Sequence, residues 1–117
     1  MLIFPLKKEW YEKIRSGAKR IEYREVKPYW TDRIAKEYKN ELLEDGISER
    51  ISSFYIFRGE NHFCKLRLGY ANKYMTAKIV KIMVVDGEDT DLHIDRPVFA
   101  IHLADVKEEK NDQERID

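Results

Sequence analysis

The sequence predicts a single α+β domain, a mostly antiparallel, curved sheet flanked by two helices. Three observations predict it. Two amphipathic helical stretches, near residues 8–16 and 29–44, lie in the first half of the chain and alternate with extended segments. Three or four strand-like runs follow, near 53–58, 64–70, 74–85 and 98–103, and short links between consecutive strands favour antiparallel pairing. Finally, 117 residues with 43% hydrophobic content suffice for one modest core, while 38% charged residues demand a very polar surface.

Each element has a local reason. Residues Leu2 to Leu6 read as a short strand ending at Pro5-Leu6, since proline is confined to strand edges and ends. In the first helix Trp10, Tyr11 and Ile14 share a face, and Gly17 stands where a left-handed C-cap belongs. From Lys19 to Val26 the chain looks extended, with Ile21 and Tyr23 on one face and Arg20, Glu22 and Arg24 on the other. Pro28 opens the second helix, where Trp30, Ile34, Tyr38 and Leu42 recur every four residues until Gly46. Trp10 and Trp30 sit on these apolar stripes and are expected to face the core. Phe54 to Phe57 is an apolar run ended by Gly59. Then Cys64, Leu66, Leu68 and Tyr70 alternate with Lys65 and Arg67. In the next strand the apolar positions shift from Ala77 and Ile79 to Ile82 and Val84, which predicts a bulge near Val80. Asp86-Gly87 signals a turn into an acidic loop, Glu88 to Pro97, and Val98 to Leu103 is the last strand. Residues 1–104 are expected to form the domain and 105–117 a charged, flexible tail.

Composition narrows the setting. No run of about 18 apolar residues exists, so no membrane span is expected. The first residues lack the basic lead and length of a secretory signal, and the lone Cys64 allows no intrachain disulfide; both fit a reducing cytoplasm. The net charge of zero conceals an asymmetry: 18 Lys or Arg against 11 Asp or Glu from Lys7 to Val85, and 4 against 11 from Asp86 onward. A basic body beside an acidic end fits a surface for a polyanion, and it fits equally a solvated charge distribution with no partner.

Catalytic and cofactor patterns are mostly absent. The glycines are scattered rather than gathered in a phosphate loop, and His62, His93, His102 and Cys64 lack zinc-ligand spacing, so no metal or cofactor is expected. Gly17 to Arg24 is different, because Lys19, Arg20, Glu22 and Arg24 crowd six positions just after a helix cap. On physical grounds alone the leading reading is an edge strand protected by charge.

Gly17-x-Lys19-x-x-Glu22-x-Arg24, preceded by a strand and a helix, resembles the signature of the ASCH domain family of the PUA-like superfamily. The resemblance extends through Leu6-Lys7-Lys8-Glu9-Trp10-Tyr11 and Pro28-Tyr29-Trp30-Thr31-Asp32-Arg33 to Arg58-Gly59, Leu68-Gly69-Tyr70 and the closing Val98 to Leu103, that is, over roughly Leu2 to Leu103. Lys73 to Arg96 departs from the pattern, being longer and more acidic. The resemblance implies a small pseudo-barrel that binds RNA, a nucleotide or a nucleoside in a cleft beside the motif. Lys19, Arg24, Arg33 and Arg58 would contact phosphates or base edges, Glu22 would orient Lys19 or Arg24, and Tyr70 with Tyr29 would stack on bases.

Two alternatives stand beside binding. Some ASCH proteins resemble acetylcytidine amidohydrolases and others are linked to RNA cleavage, which would make Lys19, Glu22 and Tyr70 the catalytic set. In the amidohydrolase pattern a threonine occupies the position of Glu22, so a covalent step is disfavoured here, and Glu22 would instead activate water. As a protein-interaction module, the acidic segment from Asp86 would dock a basic partner or fold over the protein's own basic cleft in place of RNA.

Overall fold

The computed structural model describes residues 1–38 and 62–109, together with the backbone of Tyr55–Arg58. The chain runs β1 (Leu2–Leu6), α1 (Lys8–Arg15), β2 (Ile21–Glu25), α2 (Pro28–Glu37), β3 (Tyr55–Arg58), β4 (Phe63–Leu68), β5 (Tyr74–Asp86), a 3-10 turn (Gly87–Asp89) and β6 (Pro97–Glu109). One mixed sheet in the order β1-β4-β5-β6-β2 curls into a half-barrel, with β3 pairing a second stretch of β5. Only β1 with β4 is parallel, Leu2 opposite Cys64 through Leu6 opposite Leu68; the other described pairings are antiparallel. No helix among the described residues is long and apolar enough to cross a membrane.

Alternation sets the inner face. Leu2, Phe4 and Leu6 of β1 are buried while Ile3 is exposed, and Cys64 and Leu66 continue the layer on β4. Tyr11 and Ile14 of α1, and Ile34 of α2 with Tyr38, close over it. Each large side chain buried in this way contributes roughly 1.5–3 kcal/mol. Gly17, at φ 85°, turns the chain out of α1 as a left-handed residue should. Pro28 occupies the first turn of α2, where a missing N–H costs nothing.

The two long strands bend where the apolar pattern shifts. Ile79 faces Leu103 and Lys81 faces His102, so Val80 is the extra residue of a bulge on β5. A second irregularity falls on β6 between Ala104 and Lys107, where Asp105 takes a left-handed φ of 51°. The bulges let the start of β5 pair β4 and its later part pair β3.

Three expectations change. β6 does not stop at Leu103 but continues to Glu109, because its charged residues stay paired with Tyr74 to Thr76 of β5 beyond the end of the core. The second helix, expected to reach Glu44, ends at Glu37, with Tyr38 as its cap; Leu42, Gly46 and Phe54 lie outside the described residues. Tyr70 does not continue β4: the strand ends at Leu68, Gly69 takes φ 57°, and Tyr70 stands in the turn, 87% exposed.

Candidate functional site

β1 and β2 are the two ends of the strand order, so a full barrel would need them to pair. Side chains of the motif occupy that seam instead. The charged face of β2 is the inward one: Glu22 is buried, whereas Ile21 and Tyr23 are only half-buried. The Arg24 guanidinium donates to Glu22 Oε1 at 2.8 Å, to the Tyr23 carbonyl at 2.8 Å and, across the seam, to the Pro5 carbonyl at 2.7 Å. Glu22 Oε1 also accepts the Tyr23 N–H at 3.0 Å. Thus Tyr23, on the outer edge of β2, has both backbone groups capped by its neighbours' side chains, and β1's proline carbonyl is capped by the same guanidinium. The fork geometry of arginine suits it to this triple role. Phe4 and Trp30 stack on each other at 5.1 Å, and the guanidinium lies beside the pair, 5.3 Å from each ring centre. Glu22 Oε2 has no hydrogen-bond partner among the described residues. Burial pushes the nearby Cys64 thiol up to about 12, with the Glu22 and Glu37 charges adding to the effect, so Cys64 is an inert core residue.

Lys19 is fixed separately. Its backbone N–H reaches back to the Lys13 carbonyl at 3.0 Å, just past the α1 cap. Its ammonium lies 4.3 Å from the Trp10 ring centre, 5.5 Å from that of Tyr23 and 2.7 Å from Asp91 Oδ2. Trp10, expected in the core, instead offers its ring to Lys19 and, at 4.7 Å, to Lys13. Asp91 belongs to the acidic loop, whose neck is tightly built. The Gly87 carbonyl accepts bonds from Thr90 N, Thr90 Oγ1 and Ile94 N, while Gly87 N–H donates to the Arg96 carbonyl. A Cβ on Gly87 would lie 2.5 Å from that carbonyl oxygen, so only glycine fits. Arg96 reaches Glu25 of β2 at 3.6 Å, and Glu25, which also pairs with Lys27, has its carboxyl held below the usual range chiefly by Lys27.

Two clefts lie beside this framework. The larger, about 440 Å³, runs between the outer edge of β1, α2 and the β4–β5 turn, with Ile3 and Pro5 in its lining. Arg33 stacks its guanidinium 4.0 Å from the Tyr29 ring centre, and Tyr29 meets Trp30 edge-on at 4.9 Å. Arg67 holds the turn by donating to the Tyr70 carbonyl at 3.1 Å and the Ala71 carbonyl at 3.3 Å. Lys36 adds a third cationic side chain, and the single carboxylate in the lining, Glu37, is paired with the Met1 ammonium at 3.0 Å. The smaller cleft, about 290 Å³, is lined by Tyr23, Arg24, Trp30 and the loop residues Leu92 and Ile94, with Glu25 and Lys27 at the strand end. Arg24 and Trp30 line the smaller cleft and Pro5 and Tyr29 the larger, so the seam is the wall between them.

The sequence-derived residues therefore divide into groups. Glu22 and Arg24 hold the seam, Lys19 is paired with Asp91, and Arg33 and Tyr70 share the larger cleft with Tyr29. Of the expected catalytic residues, Lys19 meets Trp10, Tyr23 and Asp91, Glu22 meets Tyr23 and Arg24, and Tyr70 lines the larger cleft. The Arg58 backbone pairs with Lys81 in β3, and its side chain lies outside the described residues. Asp91, Leu92, Ile94, Lys36 and Arg67 were missed by sequence reasoning. Only the acidity of the loop signalled the first of them, and Arg67 was legible merely as the polar face of β4. Among the described residues no group of three or more His, Cys, Asp or Glu is placed to hold a metal ion. The chain matches no family model, no curated protein and no solved structure.

Proposed function

We propose that this chain is a nucleic-acid-binding domain of the ASCH, PUA-like kind that takes single-stranded RNA or a nucleotide in the larger cleft. The observation that carries the reading is the convergence there of two exposed rings, Tyr29 and Tyr70, with three cations, Arg33, Lys36 and Arg67. Unpaired bases stack on exposed aromatic faces, and cations between the rings neutralise the phosphates that link the bases. Arg33 already lies on Tyr29, so its guanidinium plane continues the stacking surface. A site of this chemistry binds without much regard to sequence, because every base has a face and every linkage a charge. The catalytic alternative draws less support, since Lys19 is engaged by Asp91, Glu22 by Arg24, and Tyr70 lines the larger cleft.

Fluorescence anisotropy with a labelled oligouridylate across a salt series tests the reading. Three phosphate contacts on a single strand predict a slope of log K against log salt of about −2. Arg33→Ala is expected to flatten that slope by about 0.7. Tyr70→Ala is expected to lower affinity roughly tenfold while leaving the slope unchanged. Saturable binding that survives both substitutions intact, or no binding at low salt, would overturn the assignment.

A further inference from the structure

We propose that Asp91 stands in for a ligand phosphate on Lys19. Residues 87–96 form a built acidic strap, and the phosphate of a nucleotide or RNA strand binds at Lys19 by displacing the Asp91 carboxylate. Two partners of one ion pair differ sharply here. The Lys19 side chain is 11% exposed and that of Asp91 is 42% exposed, so the cation is the fixed partner and the carboxylate stands on the solvent side. The rings of Trp10 and Tyr23 hold the ammonium by cation–π attraction that does not depend on Asp91. When the carboxylate leaves, a pre-placed cation remains. A phosphate monoester brings a charge of about −1.5 to −2 and three acceptor oxygens, against one charge on a carboxylate, so it competes well for the same ammonium.

The strap also supplies a place for the rest of the ligand. Leu92 and Ile94, one and three positions after Asp91, line the 290 Å³ cleft, and Tyr23 serves both that cleft and Lys19. This volume is at the low end for ligand pockets and suits a single nucleoside. The bonds at Gly87 and Thr90 keep the strap's neck in place while its tip exchanges partners. This is a second site, divided by the seam from the larger cleft; that its ligand is a nucleotide rests on the nucleic-acid reading above, whereas the exchange at Lys19 does not.

The test compares wild type with Asp91→Asn in two titrations, one with inorganic pyrophosphate and one with a 5′-phosphorylated oligouridylate, both against Lys19→Met and the Lys19→Met/Asp91→Asn double variant. Protection of the Lys19 amine from acylation, read by mass spectrometry, reports occupancy directly, and thermal melting checks each fold. Removing the competing carboxylate is expected to tighten pyrophosphate binding about fivefold, with the gain absent in the double variant. Lys19 is expected to acylate faster in Asp91→Asn until pyrophosphate protects it. Equal or weaker pyrophosphate binding by a folded Asp91→Asn protein, or a gain that persists without Lys19, would overturn the proposal. If pyrophosphate exchanges as expected while the oligonucleotide fails to bind, the strap stands and the nucleic-acid reading falls. The reverse pattern refutes the strap alone.

Discussion

Arg24→Met is expected to destabilise the fold by about 3 kcal/mol, because the guanidinium holds the seam between β1 and β2. The substitution removes the hydrogen bonds to Glu22 Oε1, the Tyr23 carbonyl and the Pro5 carbonyl, and leaves a carboxylate 6% exposed without its counter-charge. Breaking a buried ion pair on one side costs roughly 3–5 kcal/mol. Arg24 is itself 17% exposed, so water partly compensates and the low end applies. Methionine keeps an unbranched apolar stem beside the Phe4–Trp30 ring pair, which limits the cavity effect and leaves mainly the polar loss. In urea, with a slope of about 1.5 kcal/mol per molar, the midpoint should fall by about 2 M. Glu22→Gln removes the stranded charge, so the double variant is expected to cost at least about 1 kcal/mol less than the two single changes added together. A midpoint within about 0.5 M of wild type, or strict additivity, would refute the staple.

Two further outcomes follow from local geometry. Gly87→Ala places a Cβ 2.5 Å from the Arg96 carbonyl oxygen and 2.7 Å from the Ile94 oxygen, both backbone atoms; it should cost about 1–3 kcal/mol and speed hydrogen exchange at the Ile94 amide, whereas an unchanged melt would show that the neck can shift. Tyr11 is buried, its hydroxyl has no partner among the described residues, and burial, then Glu108 and Glu12, raise its pKa from 10.0 to about 12. The folded state therefore favours the neutral phenol, so this contribution is complete below pH 10 and is lost as pH rises towards about 12. Tyr11→Phe should leave stability near neutrality unchanged or slightly raised and should flatten the alkaline decline in a denaturation series; a large loss at neutral pH would mean that the hydroxyl is bonded.

What the sequence made legible was local. The Gly17 cap, the Pro28 start of α2 and the Val80 bulge each follow from backbone restrictions or from a break in apolar period within a few residues. The parity of β2 was legible too, yet its direction was not. Apolar-inward is the default, but at the end of the described strand order the backbone itself needs partners, and Glu22 and Arg24 supply them from inside. The Lys19–Asp91 contact spans 72 positions, and no periodicity encodes a pairing that depends on how β6 brings the strap beside β2. The larger cleft is of the same kind. Tyr29, Arg33, Arg67 and Tyr70 meet because β1 lies parallel to β4, a pairing that the run of consecutive strands did not foretell.

The parallel β1–β4 pairing also orders events in time. β5 and β6 are neighbours in the chain, joined by the strap, and can zip from Asp86 and Pro97 outward. β1 must wait for β4, some sixty residues downstream, and the closure entropy of that loop falls before its contacts repay it. β2 likewise depends on β6, about eighty residues downstream, so Arg24 is expected to bridge two late-arriving strands. An interaction made late barely touches the rate of folding and acts almost wholly on the rate of unfolding. Loss of the guanidinium should therefore shorten the lifetime of the native state without delaying its formation, making the seam the timer of the fold rather than its seed.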